Sequence, residues 1–257
     1  MAEYTRDPAS PDQEAMRRQG RKIRDLFGPL AARYDLQNRL FSLWLDVLWR
    51  KRLVEGVRLL ASGSTGRVLD LAAGTLDVSL ALHRRFPEAA ILALDLSKPM
   101  LEWGMRHKVP DPARAAIRPL TGDARALPLP DASVDAVTVA FGIRNMQPRG
   151  AALAEIRRVL VPGGSLHVLE FAPVTVPLIG PAYHWYLERV MPLFAGLISG
   201  EADAFRYLCV SIRDFPPPPA FARELAAAGF RPQAWDALNF GIVNIHRAAK
   251  PAMPRRR

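Results

Sequence analysis

Polar and apolar positions along the chain alternate between two rhythms. Short apolar runs that end in small or acidic residues sit at Arg67–Leu71, Ala90–Leu94, Ala136–Phe141 and within V-P-G-G-S-L-H-V-L-E-F from Val161 to Phe171. Such runs predict buried strands. Between them lie helical patterns such as A-A-L-A-E-I-R-R-V-L, and strand alternating with helix predicts an α/β domain on a parallel sheet. Upstream, Gln19 to Ala61 reads as helical. Leu40, Phe41, Trp44, Leu48 and Trp49 share one face there, expected to pack on the sheet. Downstream, Ala182–Ile198 and Asp203–Arg213 read as inserted helices before a Pro216–Pro219 loop. A further helix runs to Ala228 and is capped by Gly229. Phe230–Leu238 and Gly241–Arg247 then form a closing hairpin. The central unit spans roughly Gly66 to Phe171. One domain over residues 16–250 is expected, with disordered tails at 1–15 and 251–257.

The breaks between these runs carry the candidate chemistry. The first strand, R-V-L-D-L, opens into Ala72-Ala73-Gly74-Thr75, where small residues let backbone approach a ligand. The second ends at Asp95. An acid at that strand tip can accept hydrogen bonds from ribose hydroxyls in the crevice beyond the strands. A dinucleotide fold would place G-x-G-x-x-G in the first turn to seat a pyrophosphate on the next helix. Here the positions are Ala72, Gly74 and Leu76, and no other glycine occurs before Gly104. This turn is a poor phosphate cradle and suits a nucleoside without phosphates, such as S-adenosylmethionine. The plainer reading is that Asp70 and Gly74 only shape a strand-to-helix turn. Further on, Thr121-Gly122-Asp123-Ala124 offers a carboxylate to an adenine amine and a backbone N–H to a ring nitrogen. Alone, Asp123 would read as a turn residue; in series with Asp70 and Asp95 it reads as functional.

Composition narrows the class. The 257 residues suffice for one large core. The lone Cys209 excludes an intrachain disulfide and suits a reducing cytoplasm. The start is polar, unlike a secretory signal, and no apolar run reaches the ~18 residues of a membrane span. A net charge of +10 and clusters at Arg17, Arg18, Arg21, Lys22, Arg24, at Arg50–Arg52 and at Arg255–Arg257 raise the question of an anionic partner. No nucleic-acid-binding motif accompanies them, so no nucleic acid is expected.

At these residues the chain resembles the ubiquinone/menaquinone biosynthesis C-methyltransferases, within the class I S-adenosylmethionine-dependent methyltransferases. The resemblance rests on F-G-P-L-A-A-R-Y-D-L-Q-N, G-D-A-R-A-L-P, A-F-G-I-R-N, R-V-L-V-P-G-G-S-L-H-V-L-E-F, D-A-F-R-Y-L and G-I-V-N-I-H-R, in that order. It implies a doubly wound, mostly parallel seven-stranded sheet with an antiparallel last strand and N-terminal helices. Cofactor contacts carried over by position fall on Thr75, Asp95, Asp123 and Ala124. Two positions depart from the family: Leu76 stands where glycine is common and Ala140 where serine is frequent. Leu76 is expected to narrow the methionine end of the pocket, and Ala140 to remove a polar contact.

The implied reaction is methyl transfer from S-adenosylmethionine to a ring carbon of a prenylated quinol, demethylmenaquinol or the equivalent ubiquinone precursor, without a metal. Arg144 and Asn145 follow a strand end near where the methyl should lie, and Arg144, permanently charged, is assigned stabilisation of phenolate charge. His246 is a second catalytic candidate, with core packing as its plainer reading. Arg206 and Tyr207 are candidate substrate contacts, and His167 reads as structural. A prenylated quinol resides in the bilayer, so the basic face is expected to touch anionic lipid at the inner face of the cytoplasmic membrane. The reading allows a homodimer. A methyltransferase for another small molecule or lipid, or a non-catalytic basic binding protein, stands as the alternative.

Overall fold

The computed structural model describes residues 42–60, 66–174 and 202–252, with isolated positions at 35, 38, 39, 177, 180, 185 and 189. Leu40, Phe41, the Ala182–Ile198 segment apart from Trp185 and Arg189, the Arg17–Arg24 cluster and the Arg255–Arg257 end lie outside the described residues.

Five parallel strands make the frame: β1 (Arg67–Leu71), β2 (Ala90–Asp95), β3 (Ile117–Thr121), β4 (Val134–Ala140) and β5 (Leu160–Phe171). The helices between them are α2 (Asp77–Arg85), α3 (Lys98–His107) and α4 (Arg149–Val159), preceded by α1 (Leu45–Gly56). After α5 (Ala202–Arg213) and α6 (Pro218–Ala227), the chain adds β6 (Arg231–Pro232), β7 (Asp236–Leu238) and β8 (Val243–Ala249). Gly229 follows α6 with φ +81°, the left-handed turn expected of it. The strand order is β3-β2-β1-β4-β5-β8-β6, with β7 also on β8. β8 runs antiparallel to β5, so that Val168 faces His246 and Glu170 faces Asn244.

The sheet therefore has eight strands where seven were expected. The difference lies at one edge: β6 and β7 both pair with β8, at opposite ends of it. Pro232 has no N–H for a ladder, and the edge resumes only at Asp236. As one interrupted strand, the two pieces occupy the seventh position.

Apolar side chains cover both faces. Leu69, Val137, Val168, Leu153, Ile156 and Phe221 form one core under α4 and α6. Trp49, Leu53, Val68, Leu82, Ile91 and Ala136 form the other under α1, α2 and α3. Helix α1 departs from its sequence pattern. Trp49 and Leu53, four residues apart, face inward, whereas Trp44 and Leu48 are 53 % and 60 % exposed. Trp44 itself is left-handed (φ +62°), and the helix takes its phase after that point.

Candidate functional site

Strand order reverses between β1 and β4, and in an open α/β sheet the crevice forms at that point. A crevice of about 850 Å³, open mouth included, lies there. The ends of four strands build it: Ala72 and Gly74 after β1, Asp95 at β2, Asp123 and Ala124 after β3, and Ala140, Phe141, Gly142 and Asn145 after β4. The two central turns meet closely, since a Cβ built on Gly142 would collide with the Cβ of Ala72. Phe141 continues the wall toward α1, with its ring centroid 6.1 Å from Trp49 and 4.7 Å from Phe171.

Asp95 is held at both oxygens. Gly74 N–H donates to Oδ2 and Ser97 N–H to Oδ1, each at 2.8 Å. Burial pushes its carboxyl above the usual range, against the backbone hydrogen bonds that lower it. A carboxylate has about four lone-pair sites, so two such anchors fix Asp95 and leave capacity for hydroxyl donors. Asp123 lies across the crevice, gripped by Arg125 through Nε (2.9 Å) and Nη2 (2.6 Å). Burial alone would raise its carboxyl, but the Arg125 guanidinium and N–H outweigh that and hold it low. Ala124 is buried in the wall beside it.

Three expected features lie behind the crevice and not on it. Asp70 is 1 % exposed and accepts from Ser79 Oγ (2.6 Å) and Thr138 Oγ1 (3.0 Å); burial raises its pKa to about 7. Thr75 donates to Asp35 Oδ1 at 2.6 Å and accepts from Lys108 Nζ at 2.9 Å, and it too is buried outside the lining. Leu76 does not narrow the pocket. It is fully buried in the α1–α2 core at φ +72°, and its side chain fills the space above Gly104, where a Cβ would come within 2.9 Å of it. Ala140 does line the crevice, so the hydroxyl frequent in the family is missing there.

On the β4–β5 side, a 3-10 turn at Ile143–Asn145 carries the other candidates. Arg144 is buried and donates through Nη1 to Glu170 Oε1 (2.6 Å) and the Phe141 carbonyl (2.7 Å), with Nε 3.3 Å from Ser211 Oγ. Glu170 is wholly buried and also accepts from the N–H groups of Arg144 and Phe171. Asn145 lines the crevice, and Tyr207 of α5 donates its hydroxyl to Asn145 Oδ1 at 2.8 Å. Burial raises the Tyr207 pKa, so this phenol stays a donor. Arg206 is exposed on α5. His246 is not brought to the crevice. It is buried beneath the sheet, edge-on to Phe221 at 4.9 Å and stacked on Trp235 at 5.9 Å, and burial lowers its pKa to about 4. His167 is likewise lowered to about 4 by burial, with help from Arg247 and Arg58.

Glu170 carries the signal that singled out Asp95, an acid at an apolar strand tip, yet it escaped notice within L-E-F. The partners Asp35 and Lys108 are far from Thr75 in sequence, and no local pattern announces them.

The donor set fits S-adenosylmethionine. The crevice presents carboxylates at Asp95 and Asp123 and one guanidinium already bound to Asp123. Such a site repels a diphosphate and accepts hydroxyls, an amine and a sulfonium. The relatives agree. A profile described as the ubiE/COQ5 methyltransferase family matches residues 15–250. A "Demethylmenaquinone methyltransferase" from Thermus thermophilus is 43 % identical over 88 % of this chain and 100 % of its own. A "Ubiquinone/menaquinone biosynthesis C-methyltransferase UbiE" from Geobacter sulfurreducens is 39 % identical over 90 % of this chain and 89 % of its own. Among solved structures, S-adenosylmethionine-dependent methyltransferases from Thermotoga maritima and Aquifex aeolicus superpose with TM-scores of 0.59 and 0.55. Each is 17 % identical; they cover 89 % and 80 % of this chain and 99 % and 92 % of their own, a likeness of fold. The chain belongs to the ubiE/COQ5 methyltransferase family and is an S-adenosylmethionine-dependent C-methyltransferase.

Proposed function

We propose that the acceptor is a prenylated quinol, demethylmenaquinol or the equivalent ubiquinone precursor, methylated at an unsubstituted ring carbon. The observation that supports this most is the shared crevice: Asp95 on one wall, Asn145 with Tyr207 behind it on the other. S-adenosylmethionine supplies an electrophilic methyl on a positively charged sulfur. The chain's own residues orient the partners and manage charge. Asp95 would accept from the ribose hydroxyls, and Asp123 and Ala124 would hold the adenine. Gly74 and its turn leave room for the methionine end.

On the acceptor side the ring carbon needs electron density, which increases as the neighbouring phenol gives up its proton. Transfer would join the ring carbon to the cofactor's methyl, leave the sulfur as a neutral thioether, and release the ring carbon's proton to solvent. Asn145, its Oδ1 held by the Tyr207 hydroxyl, offers its amide N–H to a ring oxygen. Arg144, paired with Glu170 and bonded to the Phe141 carbonyl, fixes the turn that presents Asn145. His246, enclosed by Phe221 and Trp235, serves packing in this scheme.

A substrate with a prenyl tail must be met at the membrane. No helix among the described residues is long and apolar enough to cross one. Helix α1 instead presents Trp44 and Leu48, exposed beside exposed Lys51 and Arg52. Each basic residue near anionic lipid contributes about 1 kcal/mol. Salt-sensitive cosedimentation with anionic vesicles is expected, weakened by Trp44→Ser. The acceptor itself is tested by incubating the protein with cofactor and each quinol precursor separately and weighing the products. One added methyl on a prenylated ring is expected; methylation only of a soluble acceptor, or of none, would overturn the assignment.

A further inference from the structure

The crevice wall at Gly74 is backed by a chain of charges that takes no part in lining it. Lys108, just past α3, points its ammonium at three oxygens. It donates to Asp77 Oδ1 at 2.6 Å and Thr75 Oγ1 at 2.9 Å, and lies 2.6 Å from Asp35 Oδ2, an ion-pair contact without good hydrogen-bond alignment. Two of the three ammonium N–H donors are thus spent in hydrogen bonds, and Asp35 adds a charge contact. Thr75 spends its own hydrogen on Asp35 Oδ1. Arg50 of α1 completes the chain by bridging Asp46 and Asp77. Every member is at least three-quarters buried at its side chain, so solvent screens these pairs weakly.

We infer that Lys108 and Asp35 are positioning residues for the cofactor turn, and that Thr75 serves by being held between them, its hydroxyl turned from the crevice. The inference rests on reading the crevice as the cofactor site. The turn needs such support. Ala72, Gly74 and Leu76 all have positive φ (+57°, +52° and +72°), and for Ala72 and Leu76 that conformation is unfavourable. Gly74 N–H must nonetheless meet Asp95 at 2.8 Å. Thr75 is the residue between the strained positions with a side chain able to be anchored, and its anchors come from α3 and from the N-terminal segment. Removing the Lys108 ammonium leaves Asp35 and Asp77 without their shared cation, and the turn loses its lock. The consequence falls on cofactor affinity, since Asn145, Tyr207 and Arg144 stand on other elements.

The test is calorimetric binding of S-adenosylmethionine, with steady-state kinetics, on Lys108→Met, Thr75→Val and the double variant. Lys108→Met should weaken binding and increase KM for the cofactor about tenfold, the usual scale for residues that support a ligand shell. Turnover at saturating cofactor should fall far less. Thr75→Val should weaken binding by a similar factor, and the double variant little further, because both break one linkage. Should Lys108→Met not fold, Asp35→Asn keeps the side-chain shape and gives the same readout, with a smaller factor. Wild-type affinity in these variants, additive losses in the double variant, or a fall confined to turnover would overturn the inference. Absence of binding by the wild-type protein would instead overturn the reading of the crevice.

Discussion

The two walls of the crevice handle charge in opposite ways. On the β1–β2 side the anion is presented: Asp95 stands at a strand tip with backbone N–H groups behind it, ready to accept further donors. On the β4–β5 side the charges are withdrawn. Arg144 and Glu170 neutralise each other in the interior, and what reaches the crevice is the neutral amide of Asn145, held from behind by Tyr207. A wall that binds a cationic cofactor needs a standing negative charge. A wall that must tolerate a phenol and its anion works better with a neutral donor held in place by a buried ion pair. This division explains why one side is built from turns and the other from a buried ion pair.

Breaking the withdrawn pair should have the largest effect. Arg144→Ala leaves Glu170 as a lone charge in the interior, at a cost of about 3–5 kcal/mol in stability. Turnover should fall roughly 100-fold while cofactor binding persists, as kinetics and calorimetry would measure. Near-wild-type turnover would sink the role given to Arg144. Next comes Leu76→Gly. Losing the buried leucine costs about 2–5 kcal/mol, and relieving its positive φ returns about 1–2 kcal/mol. Chemical denaturation should therefore show a net loss. Gly142→Ala forces apart the two turns at Ala72 and should cost about 1–3 kcal/mol together with weaker cofactor binding.

The smallest effect is one of pH. Asp70 has a folded pKa near 7, above its unfolded value, so its contribution is fully present in acid and is lost as pH rises through 7. His167 and His246, with folded values near 4 against an ordinary 6.5, act oppositely: stability is lost as pH falls below 6.5 toward 4. Asp70→Asn removes the compensating term. Its melting temperature should rise relative to wild type at pH 8 and fall more steeply between pH 7 and pH 5.

What the sequence made legible was whatever local pattern encodes. Strand after strand ended where the apolar runs ended, and Asp95 followed from its place at a strand tip. The fate of Asp70 did not, because one of its two hydroxyl partners, Thr138, is 68 residues away on the neighbouring strand. Leu76 looked like an obstruction only because its escape route, the bare backbone of Gly104, belongs to the next helix but one turn of the fold. His246 showed an apolar strand on both sides, and only the packing of α6 against β8 revealed Phe221 above it. Glu170 was readable by the rule that found Asp95, but its meaning required the buried guanidinium it faces.

The account is tested most directly at Asp95. Calorimetric titration of S-adenosylmethionine into the wild-type protein should give one site, and Asp95→Ala should weaken it by about 100-fold, the loss of two hydrogen bonds to a charged acceptor. Equal affinity in the variant, or no heat from the wild-type protein, would contradict it.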